Sequence, residues 1–333
     1  MNQSAPRYDV VAIGNAIVDV ISRADEDFIA AQGMAKGSMQ LIDADQATSL
    51  YDAMGPGMEV SGGSAANTLA GLAMLDAKCG FIGQVADDQL GQVFAHDIKA
   101  GGIAFTTEAR QGHPPTARCL ILVTPDAQRT MNTFLGASQY LPAAALDEAM
   151  IADAAILYLE GYLWDPAEPR AAMLRAIELS KQAGRKVAFT LSDAFVIDRH
   201  RDDFLAMIDE GAIDILFANE VEICSLQQTQ DFEAAVATTA AKVPSLVVTR
   251  SEKGAIALVD GKRYETRAEP IAEIVDTTGA GDLFAAGFLA GVSQGKTPSD
   301  CLIMGSVCAK EIIGHVGARS QADLKALVAA RLG

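Results

Sequence analysis

The string Asp276-Thr277-Thr278-Gly279-Ala280-Gly281-Asp282 gathers the groups needed to hold a phosphoryl group and to take a proton beside it. It follows the β-prone Glu273–Val275 and directly precedes an apolar helical run, Leu283–Val292. Glycines 279 and 281 let the backbone turn sharply and present consecutive N–H groups, and the helix adds the positive end of its dipole. Such a turn holds an anion. Asp282 then stands beside it, where a carboxylate cannot usefully bind phosphate but can accept the proton of an attacking hydroxyl. The plainer alternative is a tight turn with Asp282 as a helix N-cap. Taken alone the string favours that alternative, because single motif matches arise often by chance.

Two further strings change the balance. Ser61-Gly62-Gly63-Ser64-Ala65-Ala66-Asn67-Thr68 is a glycine pair opening a helix that runs through Leu75, and it is followed by Gly80–Asp88 and Gly91. The glycines let backbone amides approach a polyol closely, and Asn67, one turn into the helix, both donates to and accepts from hydroxyls. Gly14-Asn15-Ala16-Ile17-Val18-Asp19 lies at the end of a first strand, where ligands of open α/β sheets gather. Asp19 there can accept two hydrogen bonds from neighbouring hydroxyls. A competing phosphate motif, Ala290–Thr297, comes close to a P-loop but lacks its first glycine. A P-loop must follow a strand and open a helix, whereas Gly295 ends one helix and Pro298 starts the next, so Gly295 reads as a C-cap.

The elements that must position these residues follow from apolar periodicity. Val10–Ile13 is a first strand. From about residue 150, short β-type runs (Ala155–Leu159, Lys186–Thr190, Asp214–Phe217, Leu246–Thr249) alternate with helical stretches at 169–183 and 200–209. That alternation means a parallel sheet wrapped by helices. Segments 34–42 and 103–134, with β-prone Ala117–Thr124 and Thr130–Phe134 between proline breaks, read instead as strands of a small lid over one edge of the main sheet. Helices at 282–293 and 298–313 and a short terminal helix complete the chain, which reads as one domain over residues 1–333.

Composition narrows the partners. Twenty-six Lys and Arg against 43 Asp and Glu leave a net charge of −17, so nucleic acid and anionic membrane surfaces are repelled. Five cysteines without CxxC spacing argue against a disulfide framework or a zinc site. His96, His113, His200 and His315 lack metal-type spacing. No apolar run reaches spanning length and the N-terminus does not read as a signal peptide, so the expected compartment is the cytoplasm.

Together the three strings resemble the ribokinase-like, or PfkB, kinases along nearly the whole chain. Within that family the chain looks most like adenosine kinases, through Gly14–Asp19, Arg129 followed by Leu135-Gly136-Ala137, Leu191–Phe195 and Asp214–Glu222. The resemblance implies a three-layer α/β/α fold with a central, mostly parallel sheet and a small β lid. It implies Asp282 as catalytic base, the amides of Gly279, Ala280, Gly281 and Asp282 as the anion hole, and Arg129 approaching the phosphates from the lid. Asn15, Asp19, Gly62, Gly63 and Asn67 would hold sugar hydroxyls, with Tyr162 and Phe195 available to stack on a base. ATP and Mg2+ are the implied cofactors: Asn219 and Glu222 would organise magnesium, Glu222 through water, while Thr249, Ser251, Gly254, Thr278, Ser306 and Gly317 would line the nucleotide site. K+ near the Gly279 loop is a further candidate, and the family is compatible with a monomer or a homodimer.

The function implied is ATP-dependent phosphorylation of a primary hydroxyl, foremost the 5′-hydroxyl of adenosine. Met39 stands where the animal enzymes have glutamine, and Leu163 follows Tyr162 where two aromatics are expected. A free sugar or sugar acid such as ribose, fructose or 2-keto-3-deoxygluconate therefore stays open as the substrate. A catalytically inactive nucleoside-binding protein is the rival of another class. A dinucleotide-dependent oxidoreductase is rejected, since no Gly-x-Gly-x-x-Gly follows the first strand.

Overall fold

The computed structural model describes residues 5–126 and 128–333. In chain order the strands are β1 (Tyr8–Ile13), β2 (Ile17–Arg23), β3 (Met39–Leu41), β4 (Gly57–Gly62), β5 (Cys79–Ile82), β6 (Ala104–Phe105), β7 (Ala117–Val123), β8 (Arg129–Phe134), β9 (Ala154–Glu160), β10 (Lys186–Thr190), β11 (Ile215–Asn219), β12 (Ser245–Thr249), β13 (Ala255–Val259) and β14 (Lys262–Thr266). The helices are α1 (Glu26–Ala31), α2 (Ala44–Ala53), α3 (Ser64–Met74), α4 (Gln89–Ala100), α5 (Glu148–Ala152), α6 (Ala167–Gln182), α7 (Ala194–Asp209), α8 (Glu220–Leu226), α9 (Phe232–Ala240), α10 (Ala280–Ser293), α11 (Pro298–Ile313) and α12 (Leu324–Leu332).

Nine strands form one sheet in the order β14-β13-β12-β11-β10-β9-β1-β5-β6. It is parallel from β12 to β6 and antiparallel at the β12-β13-β14 edge. Its inner strands are near-continuous apolar runs because helices bury both faces. Side chains alternate across the sheet, so Val10 and Ala12 of β1, with Ile156 and Tyr158 of β9, face a core shared with α3, α10 and α11. Val11, Ile13, Leu157 and Leu159 face the opposite core, beneath α6 and α7. The helix-wrapped parallel sheet is the one the alternating pattern implied, and its arrangement is the ribokinase-like α/β fold that the resemblance implied.

A second sheet of five strands, β3-β8-β7-β2-β4, stands apart from the first. Here the sequence reading was incomplete. Residues Gly14–Asp19 were expected to lie at the end of the first strand, but the chain turns at 14–16 and starts β2 at Ile17, putting Asp19 inside the small sheet opposite Val60 of β4. A charged residue in the middle of a short strand masked its alternation, and β4, bounded by glycines, gave no apolar run. Ala104–Phe105, grouped with the lid, instead pairs with β5 at the edge of the large sheet. The helix expected at 200–209 begins six residues earlier, at Ala194; a non-helical break at His200 (φ −126°, ψ 21°) separates its two halves.

Candidate active site

Three chain segments meet at Asp282. Gly279, at φ +78°, is the N-cap of α10 and supplies no side-chain cap. Asp282 is therefore the third helical residue rather than the N-cap, and its carboxylate is free to point into the cleft. Ser64 Oγ donates to its Oδ1 at 2.6 Å and Asn67 Nδ2 to its Oδ2 at 3.2 Å. Both partners lie in the first turn or so of α3, which packs on α10 so closely that a Cβ at Gly71 would meet Leu283 Cδ1 at 2.7 Å and Ala286 Cβ at 2.8 Å. Burial pushes the Asp282 carboxyl up, while the two hydrogen bonds and the charge of Arg319 pull it back. Among the described residues a Cβ at Gly281 would meet nothing within 4 Å, so the first turn of α10 is open on that side, and the helix dipole favours an anion at this end.

The small sheet supplies the opposite wall. Burial pushes the Asp19 carboxyl up to about 6, with Arg319 and Arg129 opposing and Asp282 reinforcing the shift. Gly62 pairs across from Ile17, and a Cβ on it would collide with the Asp19 carboxylate. Arg129 opens β8 with its guanidinium almost wholly buried and ion-paired to Asp276. Asp276 in turn accepts from the N–H of Thr278 and that of Gly317. In this arrangement Arg129 is tied to the loop that leads into α10.

Asn219 and Glu222 form a capping box at the start of α8. Asn219 N–H and Nδ2 donate to the Glu222 carboxylate, and Glu222 N–H donates to Asn219 Oδ1. Burial pushes Glu222 up to about 7. Asn219 ends β11 directly beside Thr249 at the end of β12, so these residues share the carboxyl edge of the sheet with Ser251 and Gly254 of the following turn. Gly254 has a structural duty there as well: its φ is +92°, and a Cβ would collide with Thr266 O. Ser306 is buried in α11, and Gly317 leads the loop packed against Gly279 through Ala318. Tyr162 is 41% exposed and Phe195 75% exposed. Tyr162 is within electrostatic reach of Asp282 and Glu222, whereas no ring contact joins it to Phe195 among the described residues. Among those residues, too, no group of three His, Cys, Asp or Glu could hold a metal ion, and no helix is long and apolar enough to cross a membrane.

Two charged residues of the cleft, one buried and one half-buried, escaped the sequence reading. Glu160, the last residue of β9, is fully buried and accepts from Asn15 N–H, Asn15 Nδ2 and Ala65 N–H, each at 2.7 Å. Arg319 donates to Ser61 O, Ser61 Oγ and Ala66 O, stitching the C-terminal loop to the Ser61-Gly62-Gly63 string. Their partners are 95 to 258 residues away in sequence. The one local signal was a charged residue at the end of an apolar strand for Glu160, and a lone arginine after Gly317-Ala318 for Arg319.

A carboxylate at the start of a glycine-capped helix, facing a polar second sheet across the carboxyl ends of parallel strands, is the arrangement of a phosphotransferase. Residues 9–325 match the pfkB family carbohydrate kinases, and the chain belongs to that family. Among solved structures it is similar to the probable sugar kinase protein of Rhizobium etli CFN 42, at 46% identity over 98% of each chain with a TM-score of 0.90. It is comparably similar to the adenosine kinase of Sinorhizobium meliloti, at 44% identity over 98% of this chain and 99% of that one with a TM-score of 0.89. A curated relative, the 5-dehydro-2-deoxygluconokinase of Shouchella clausii (strain KSM-K16), is 25% identical over 98% of this chain and 97% of its own.

Proposed function

We propose that this chain transfers the terminal phosphoryl group of ATP to a primary hydroxyl of a nucleoside, with the 5′-hydroxyl of adenosine as the first candidate. The observation that carries the reading is the Asp282 carboxylate, anchored by Ser64 and Asn67 beside the open N-terminus of α10. Among the described residues Asn67 Oδ1 is buried and has no hydrogen-bond partner, which suits an incoming hydroxyl. Asp19 takes neighbouring hydroxyls, and Tyr162 offers a ring for a base. The substrate hydroxyl gives its proton to Asp282 as its oxygen attacks phosphorus, and the α10 amides stabilise charge spread over the phosphoryl oxygens. The small sheet acts as the lid, excluding water that would otherwise compete as nucleophile.

Magnesium supplies charge neutralisation to the ATP phosphates. Glu222, held rigid by its capping box with Asn219, fits a role of contacting that ion through water, as a hard cation that keeps several waters requires. Arg129 and Arg319 bring positive charge into an otherwise acidic molecule at the cleft itself. Likeness to the adenosine kinase of Sinorhizobium meliloti favours the nucleoside, and likeness to the Rhizobium etli sugar kinase and the 5-dehydro-2-deoxygluconokinase favours a free sugar or sugar acid as the second reading. The test is ATP consumption with adenosine, inosine, guanosine, ribose, fructose and 2-keto-3-deoxygluconate. Turnover highest with adenosine supports the first reading; turnover confined to a free sugar replaces it with the second.

A further inference from the structure

Glu160 stands at a junction. Its Oε1 accepts from both the backbone N–H and the carboxamide of Asn15, just past β1, and its Oε2 accepts from Ala65 N–H in the first turn of α3. The N-cap of α3 is Gly63, which has no side chain with which to cap the helix, so a carboxylate from β9 satisfies one of the N–H groups the helix start leaves open. The neighbouring backbone is shaped around it, since a Cβ at Gly14 would lie 2.6 Å from Glu160 Oε2. Asn15 is held at its other end as well, because Ser138 Oγ donates to its Oδ1 at 2.8 Å. The same turn of α3 carries Ser64 and Asn67, the two residues that hold Asp282.

We infer that Glu160 is a positioning residue: by gripping Asn15 and Ala65 together it fixes the first turn of α3, and through Ser64 and Asn67 it sets the aim of the Asp282 carboxylate. All three of its partners are N–H donors. A carboxylate accepts all of them, whereas a glutamine must turn an NH2 toward at least one donor. The side chain is fully buried, so it acts through Asn15 and α3 and touches no ligand. Its titratable neighbours are Asp282 on α10 and Tyr158 and Tyr162 on its own strand and the turn after it.

This inference rests on the reading of Asp282 as the base, and the experiment separates the two. Wild type, Glu160→Gln, Asp282→Asn and the double variant are compared for kcat, KM for each substrate and the pH profile, together with the crystal structure of Glu160→Gln. The positioning role predicts a kcat lower by roughly 10- to 100-fold, as a misplacement of about 1 Å produces, with KM for ATP unchanged. It also predicts that the part of the pH profile that follows Glu160's own ionisation, which burial raises to about 7, disappears, and that the Ser64 Oγ–Asp282 distance lengthens from 2.6 Å. In the Asp282→Asn background the second substitution should cost little more. Wild-type kcat and pH profile in a folded Glu160→Gln protein overturn the inference while leaving Asp282 untouched. Full activity of Asp282→Asn alone overturns the reading of the base instead. Glu160→Asp, which keeps the charge but withdraws it by one methylene, serves if Glu160→Gln does not fold: the same kcat-only loss supports the role, and an unaltered kcat refutes it.

Discussion

Replacing Arg129 with alanine should loosen the small sheet from the loop that precedes α10. The Arg129 and Asp276 side chains are only 7% and 5% exposed, so removing one leaves a buried charge. The Asp276 carboxylate would keep the N–H groups of Thr278 and Gly317 but no counter-ion. Breaking such a pair from one side costs about 3–5 kcal/mol. With an unfolding entropy of ~2.1 cal/mol/K per residue, 333 residues give about 0.7 kcal/mol/K. The expected fall in Tm is therefore about 4–7 °C. The neutral pair Arg129→Met with Asp276→Asn should recover most of that loss, because no charge is stranded. Differential scanning calorimetry of wild type, Arg129→Met, Asp276→Asn and the double variant forms a double-mutant cycle. A single Arg129→Ala variant that melts within 1 °C of wild type, or purely additive effects across the cycle, would refute the claim that this pair ties the small sheet to the loop before α10.

Further expectations concern pH and backbone. Asp19, Glu160 and Glu222 are raised to about 6, 7 and 7 from ordinary values of 3.8, 4.5 and 4.5. Between roughly pH 4 and 7 the folded chain thus holds more protons than the unfolded one, and stability falls as pH rises, each group contributing on the order of 3 kcal/mol. Urea midpoints should be higher at pH 5 than at pH 8; a flat or rising midpoint contradicts the burial of these carboxyls. Gly279→Ala forces a side chain into the left-handed region at φ +78° with its Cβ 2.9 Å from Ala318 Cβ, so the α10 turn distorts. Its kcat should drop at least tenfold, and an unchanged kcat would show that this turn does not organise the reaction. Gly62→Ala pushes against the Asp19 carboxylate; KM for the alcohol should rise severalfold with KM for ATP constant, and a change in the ATP constant alone would move Asp19 to the nucleotide side.

What the sequence disclosed and what it withheld follow from the range of the interactions. Residues 276–282 were legible as a unit because turn, helix-start amides and carboxylate lie within seven consecutive positions, and the large parallel sheet because its strands are long apolar runs split by helical periods. Strand β2 was not, since Asp19 interrupts its alternation and its partner Val60 is contributed by a strand bounded by glycines. Glu160 and Arg319 could not be ranked from local pattern at all: Glu160 matters because α3 and the end of β1 converge on it, and Arg319 because its guanidinium reaches back 258 residues to Ser61. The tie of Arg129 to Asp276 joins the small sheet to the loop before α10, a contact that no spacing reveals. Charge buried by tertiary packing leaves no periodic trace.

The most direct test of the account is the rate of phosphoryl transfer from ATP to adenosine by wild type and by Asp282→Asn, followed by direct detection of the phosphorylated nucleoside. The account predicts adenosine 5′-phosphate from the wild type and a kcat lower by about 10²–10⁴ in the variant, the usual contribution of a positioned general base, with adenosine still bound. An Asp282→Asn protein that turns over at the wild-type rate would contradict it.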